Sequence, residues 1–498
     1  MSGFLTPKEL KKLKPAETLS FASPIPTQIV SSDEYFPEPQ TPKQREVEER
    51  LKTKGNELAR KQGLSRRSFF KTAAGMAAAF LVMNEVYGGL FDASPAEAAT
   101  REMADERANA LMDQFIFDCH THYLREDTRL ENFLRGRDAV GLSGWNPQLK
   151  GKKQTLEDLK YNNYYKEIYL DSDTKVALIS SSPSDIPRDW FLTNEMMAEA
   201  RAKINKAAGS RRMLCHAVFT PGQPGWLEKL DHALSQKPDS VKGYTIGDNT
   251  HKATSRYPWR MDDEKVTYPA YEKFRKAGIK NVCVHKGLFP PSIEKQFPKL
   301  RPYVDVSDVG KAAKDWPDLN FIVYHSGYRH VGEGGTPEQA MAQLEKTGRV
   351  EWVTDLSEIP AKYGVTNVYG DLGQLFAYSV VAEPHLAAYM MGTLIKGLGV
   401  DRVVWGTDAV WTGSPQWQIE GLRRLEIPED MQKKFGFEPL GPADGKVKTA
   451  IFSGNNVRLY NYPVPKTWKK MDRFALLKED YIKAGPNRSN LRYGYVSA

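Results

Sequence analysis

From residue 115 to residue 411 the chain alternates short, continuous apolar runs with longer amphipathic stretches. That is the pattern of parallel strands buried on both faces and joined by crossover helices. Eight runs fit the strand description: 115–122 (FIFDCHTH), 176–182, 213–219, 241–247, 281–287, 320–327, 367–373 and 402–411. Between them, 194–208 (NEMMAEARAKINKAA) and 383–399 (EPHLAAYMMGTLIKGLG) read as helices, the second stopped by Gly397 and Gly399. Eight such repeats, with no Gly-rich phosphate loop after the first strand, predict a closed α/β (β/α)8 TIM-type barrel and not an open doubly wound sheet. The stretch 123–171, rich in aromatic and charged residues, is a long insertion after strand one and is placed to roof the barrel mouth.

Composition narrows this little. At 498 residues, 40% hydrophobic and 27% charged, the chain is an ordinary globular sequence without collagen-like or coiled-coil bias. Its net charge of +8 comes from basic residues interspersed with 62 acidic ones, which is a solvated surface and not a nucleic-acid footprint. Three cysteines, Cys119, Cys215 and Cys283, each lie within an apolar run and read as inert core residues, not a disulfide framework.

Residues 1–98 read as an extended leader ahead of a barrel domain spanning 99–498. SRRSFFK (65–71) followed by the apolar run 72–83 resembles a twin-arginine export signal, and Ala96 and Ala98 supply the small residues read at cleavage, here after Ala98. The apolar run is shorter than the roughly 20 residues a membrane span needs, so no stable span is expected. The Pro-, Lys- and Glu-rich stretch before Arg66 reads as disordered, and it is longer than such signals usually carry. The implied partner is the twin-arginine translocase, and the implied location is periplasmic. The alternative makes Arg66 and Arg67 surface residues beside a buried Ala-rich helix.

In a barrel of this kind, polar residues closing the apolar strands face the active site. Strand one ends in His120 and His122, strand five in His285, strand six in His325 and strand eight in Asp408. Residues i and i+2 share a face of a strand, so both imidazoles of HTH can grip one ion. Imidazole and carboxylate donors suit Zn²⁺, with Mn²⁺, Fe²⁺ and Co²⁺ as alternatives. Lys286, Tyr328, Arg329, His330, Asp371 and Trp411 lie at or just past strand ends as candidate substrate contacts. Arg125, three residues after HTH, can pair with an anionic substrate group or serve a structural ion pair. His216, on strand three, reads as core, and His232, His251 and His385 as solvent-facing.

These motifs resemble the amidohydrolase superfamily, and more narrowly the amidohydrolase-related branch that contains aminocarboxymuconate semialdehyde decarboxylase and related hydrolases. DCHTH, VCVHKG, VYHSG and VVWGTDA carry the likeness, with IFSGNNVRLYNY resembling the final helix. The resemblance implies one divalent metal ion held by His120, His122, His285 and Asp408, with Asp408 and His325 catalytic. Binuclear relatives use a carboxylated lysine late on strand four. Lys242 comes early here and Thr245 occupies the later position, which favours one metal. The implied reaction is hydrolysis of an ester, lactone or amide-like bond of a small molecule by a metal-activated water. Non-oxidative decarboxylation of a small carboxylated substrate is the alternative, and a non-catalytic exported barrel is disfavoured because all five residues are present. Assembly into a homo-oligomer is left open.

Overall fold

All eight expected strands form, each parallel to its neighbours and in sequential order: β1 Phe117–Thr121, β2 Val176–Ile179, β3 Met213–Val218, β4 Ser240–Tyr244, β5 Asn281–His285, β6 Asn320–Tyr324, β7 Val368–Asp371 and β8 Val403–Val404. The computed structural model of the protein describes residues 23–28, 39–143, 150–331, 335–464 and 473–485. The last strand returns to the first through Cys119 N–H to Trp405 O at 3.0 Å and Asp408 N–H to His120 O at 2.8 Å, which makes the sheet a barrel. β8 is far shorter than its apolar run because the chain leaves extended geometry beyond Val404, and Asp408 has φ +59°.

Phe117, Cys119, Leu178, Cys283, Ile322 and Tyr324 fill the barrel interior, and Tyr460 and Tyr462 belong to the same cluster. Each such side chain contributes roughly 1.5–3 kcal/mol on full burial. β1 does not alternate simply. Asp118 pairs with Ala177 but Thr121 with Ile179, so β1 carries one extra residue there. A bulge of this kind re-aims side chains. It leaves Phe117 and Cys119 in the interior cluster while His120 and His122 converge at the mouth.

The N-terminal region contains helices α1 (Pro42–Lys61), α2 (Ala73–Tyr87), α3 (Pro95–Ala99) and α4 (Arg101–Leu111). Helix α1 corrects the expectation of disorder across the segment before Arg66. Thr41 and Gln44 form a capping box, Pro42 opens the first turn, and Val47, Leu51 and Leu58 are buried. Residues 1–22 and 29–38 of that segment lie outside the described residues. The Ala-rich run is buried as α2, with Phe69 and Phe70 also buried and Arg67 exposed.

This layer is tied to the barrel. Tyr87 Oη donates to Ala382 O at 3.0 Å, Phe91 bridges Leu425, and Glu97 pairs with Arg424 at 2.6 Å. The anticipated cleavage point after Ala98 therefore falls inside α3, one residue beyond a buried ion-pair partner of the barrel. Among the described residues, no helix is long and apolar enough to cross a membrane.

The insertion after β1 carries helix α5 (Glu131–Leu142), and helix α6 (Asn194–Ala208) forms as expected with Thr193 as N-cap and Gly209 closing it at φ +76°. Beyond β7 come α7 (Gly373–Ala382), α8 (Pro384–Leu398) and, after β8, α9 (Gln416–Arg424). Gly399 ends α8, but Gly397 lies within it. A Cβ at Gly397 would fall 2.2 Å from Ser357 O, so its role is close packing and not termination.

Candidate metal centre

The mouth of the barrel brings the strand-end residues together. His120 Nε2 and His122 Nε2 are 3.0 Å apart, and Asp408 Oδ1 lies 3.1 Å from the first and 3.2 Å from the second. Ligands bound at about 2.0–2.1 Å to one ion, at angles from square to tetrahedral, sit about 2.8–3.4 Å apart, so this spacing fits a shared cation. The chemistry of the donors agrees. His120 Nδ1 faces Asp371 Oδ2 at 2.9 Å and so carries the ring proton, which leaves a bare Nε2 lone pair aimed at a carboxylate oxygen. A cation between them resolves that conflict.

His325 and His285 complete the cluster from β6 and β5. Ligand atoms of His120, His325 and Asp408 all lie within 4.8 Å of one another. The His325 ring centroid is 4.9 Å from those of both His120 and His285, and His285 stacks on Tyr244 at 4.7 Å. His325 Nδ1 accepts the backbone N–H of Gln374 at 3.1 Å. With Nδ1 accepting, a neutral His325 ring carries its proton on Nε2.

Backbone geometry is unusual at the same residues. His325 has φ +58° and Asp408 +59°, both in the left-handed region that non-glycine residues rarely occupy. All five of these side chains are at most 5% exposed. Burial pushes the His120 imidazole well below its ordinary value and the Asp371 carboxyl well above its own. Burial also raises Asp118, to about 7, although Thr407 and the His120 backbone donate to it.

Trp411 stacks on His122 with centroids 5.4 Å apart at 24°, and Phe191 and Phe133 pack edge-on against Trp411. Phe133 belongs to α5, so the insertion does reach over the histidines.

Most other candidates have partners within the fold. Arg125 forms a bidentate pair with Asp127, Lys286 is buried against Asp308 at 2.8 Å, and Arg329 joins Glu294 at 2.6 Å to Glu351 at 2.7 Å. These three cations are neutralised within the fold, so none offers an uncompensated charge to a substrate. Tyr328 is buried, and its hydroxyl has no hydrogen-bond partner among the described residues. His330 Nε2 lies 3.1 Å from Gln343 Oε1. Asp371 Oδ2 faces His120 Nδ1 and accepts the His325 backbone N–H at 3.3 Å.

Lys242 and its register partner Cys283 sit two residues below Tyr244 and His285, and the Lys242 ammonium lies 3.4 Å from the Tyr324 ring centroid. Thr245 Oγ1 donates to His285 O at 3.3 Å. His216 is core, bonded to Tyr324 Oη and Ser240 Oγ. His232 is exposed, whereas His251 is drawn between Asp189 and Asp248, and His385 sits beside Glu383.

Sequence reasoning missed Gln374, whose Nε2 donates to Asp408 Oδ2 at 2.9 Å. It also missed the role of Asp371. For Asp371 a signal existed, a polar residue closing an apolar strand; Gln374 lies beyond the strand, at the start of α7, where no such signal marks it.

An eight-stranded parallel barrel with histidines and an aspartate converging at its strand ends is the arrangement in which barrel enzymes place their active sites. The chain belongs to the amidohydrolase family, whose model matches residues 117–462. No curated protein matches it. Among solved structures it is similar to a TIM-barrel protein from Bordetella bronchiseptica, at 14% identity and TM-score 0.42 over 70% of this chain and 98% of that one. It is similar also to 2,6-dihydroxybenzoate decarboxylase from Rhizobium, at 13% identity and TM-score 0.37 over 70% and 99%. A third is an amidohydrolase from Burkholderia multivorans, at 12% identity and TM-score 0.41 over 70% and 100%.

Proposed function

We propose that this protein is a metal-dependent hydrolase that opens an ester, lactone or amide-like bond of a small molecule. One divalent ion is held by His120, His122, His285 and Asp408. The observation that carries the reading is the divided Asp408 carboxylate: Oδ1 meets two imidazole nitrogens while Oδ2 is held by an amide. When bound, an ion such as Zn²⁺, or alternatively Mn²⁺, Fe²⁺ or Co²⁺, supplies Lewis acidity and brings the pKa of a water toward ~7.

Asp408 takes the proton of the attacking water and passes it to the leaving group. His325, with its proton on Nε2, donates to the scissile carbonyl oxygen and stabilises the charge that develops there. Trp411 and Phe133 exclude bulk water from the mouth. The low position of Lys242, a layer beneath His285, supports a single ion over a lysine-bridged pair.

Decarboxylation is the second reading, and the same Nε2–H favours it, because a carbanion left by carbon dioxide needs a proton donor. Turnover in ¹⁸O water separates the two. Label in the product supports hydrolysis, and unlabelled product with released carbon dioxide overturns it. For the cell, we propose export by the twin-arginine translocase to the periplasm, on the motif SRRSFFK. Replacing Arg66 and Arg67 with lysine should hold the protein in the cytoplasm.

A further inference from the structure

We propose that Gln374 is a positioning residue that sets two groups at once: the tautomer of His325 through its main chain and the orientation of Asp408 through its side chain. The inference rests on the proposed metal site, and on the hydrolase reading for its kinetic consequence only.

Gln374 is wholly buried at the second position of α7, directly after β7. Its turn is pinned from both sides. Leu372 N–H reaches Val404 O at 3.2 Å and Gly373 N–H reaches Gly406 O at 2.9 Å, which fixes the turn to the end of β8. On the other side the turn presses against His325. A Cβ at Gly373 would fall 2.5 Å from His325 Nδ1 and 2.9 Å from Asp371 Oδ2, and its φ is +41°. Only glycine admits that approach.

The two contacts that follow have different chemistry. A backbone N–H can only donate, so the His325 Nδ1 facing it at 3.1 Å must accept. The other tautomer would set two N–H groups face to face. His325 is thereby held with its proton on Nε2, ready to donate, and is withheld from the ion that His120 and His122 serve. The carboxamide meanwhile donates to Asp408 Oδ2 at 2.9 Å, which leaves Oδ1 to face the imidazole nitrogens. Partial rotation of that carboxylate about its Cβ–Cγ bond would carry the facing oxygen out of line with the two imidazole nitrogens. Because one contact is main-chain, side-chain substitution touches only the Asp408 half.

Two measurements test this. The first is the ¹⁵N-histidine spectrum of the zinc-loaded wild-type chain, which has nine histidines, with His325 assigned by loss of its signals in His325→Gln. The expected pattern is protonated Nε2 and bare Nδ1. A protonated Nδ1, or an Nε2 shifted by zinc, overturns the main-chain half without needing any Gln374 variant.

The second is Gln374→Met, which keeps the volume and removes the donor. Zn²⁺ affinity by chelator competition should fall about 10- to 100-fold, with the His325 signals unmoved. On the active substrate, kcat should fall at least about 10-fold with KM within about threefold, a split that a general packing defect would not produce. Unchanged zinc affinity overturns the side-chain half. Failure of the hydrolase reading would show separately, as unlabelled product from ¹⁸O water, with the spectrum and the zinc titration unaffected.

Discussion

His120 and Asp371 face each other in the barrel wall, Nδ1 2.9 Å from Oδ2, both side chains wholly buried. The contact fixes which imidazole nitrogen is bare, and Gly406 makes it sterically feasible. A Cβ there would lie 1.9 Å from Asp371 Oδ1 and 2.6 Å from His120 Cβ. Asp371→Asn keeps the shape but puts a weaker acceptor behind the imidazole, so Zn²⁺ should bind about 10-fold or more weakly in a chelator titration. Gly406→Ala should do the same by displacing both partners. Wild-type affinity in both variants would rule out this role for the contact.

Asp408→Asn separates holding the ion from moving the proton. Three imidazoles persist in the variant, so elemental analysis should still find metal. An amide cannot accept the water proton, so turnover should fall by ~10² to 10⁴. A variant within about threefold of wild type would argue against the base role.

The sequence exposes what depends on periodicity and hides what depends on turns. The eight apolar runs and their terminal histidines were legible because a buried parallel strand leaves an unbroken apolar signature. The bulge in β1, the early end of β8 and the left-handed backbone at His325 and Asp408 leave no such mark, yet they aim the side chains. Gln374 was hidden for the same reason, since its reach to Asp408 depends on a glycine turn pinned between two strands. Arg125, Lys286 and Arg329 looked available because their partners Asp127, Asp308, Glu294 and Glu351 are evident only in three dimensions.

Removing the ion should weaken the fold. A ligand that binds only the native state stabilises it by about 2.7 kcal/mol at a hundredfold excess over Kd. The purified chain should carry about one divalent ion, and chelation should lower Tm, with no further effect of chelator in His120→Ala. Two tightly held ions per chain would contradict the single site.

Glu97 and Arg424 join the N-terminal layer to α9, with Glu420 also on the guanidinium at 3.1 Å. Glu420 remains on Arg424 when Glu97 is lost, so the cost should fall below the ~3–5 kcal/mol seen when a buried charge is left uncompensated. A chain beginning at Ala99, or the variant Glu97→Ala, should therefore melt several degrees below the full-length protein. Equal melting temperatures would mean that the layer contributes nothing to barrel stability. The intact mass of the exported protein then reports whether cells keep it.

Acid should act on the fold through Asp173. Burial alone would raise the Asp173 carboxyl, but Arg423, Lys478 and Lys175 more than offset this and hold it well below the usual carboxylate range. Its ion pair with Arg423 is 2.7 Å long. A carboxyl depressed in the folded state contributes stability that is complete above its unfolded pKa, about 3.9, and is lost as pH falls through the folded value. Asp173→Asn removes that contribution at neutral pH and has nothing left to lose in acid. With both proteins stripped of metal, so that ion release does not intrude, the variant should melt well below wild type at about pH 6, and the gap should narrow as pH drops below about 4. A gap that stays constant from neutral pH into acid would show that Asp173 acts through packing and not through its charge.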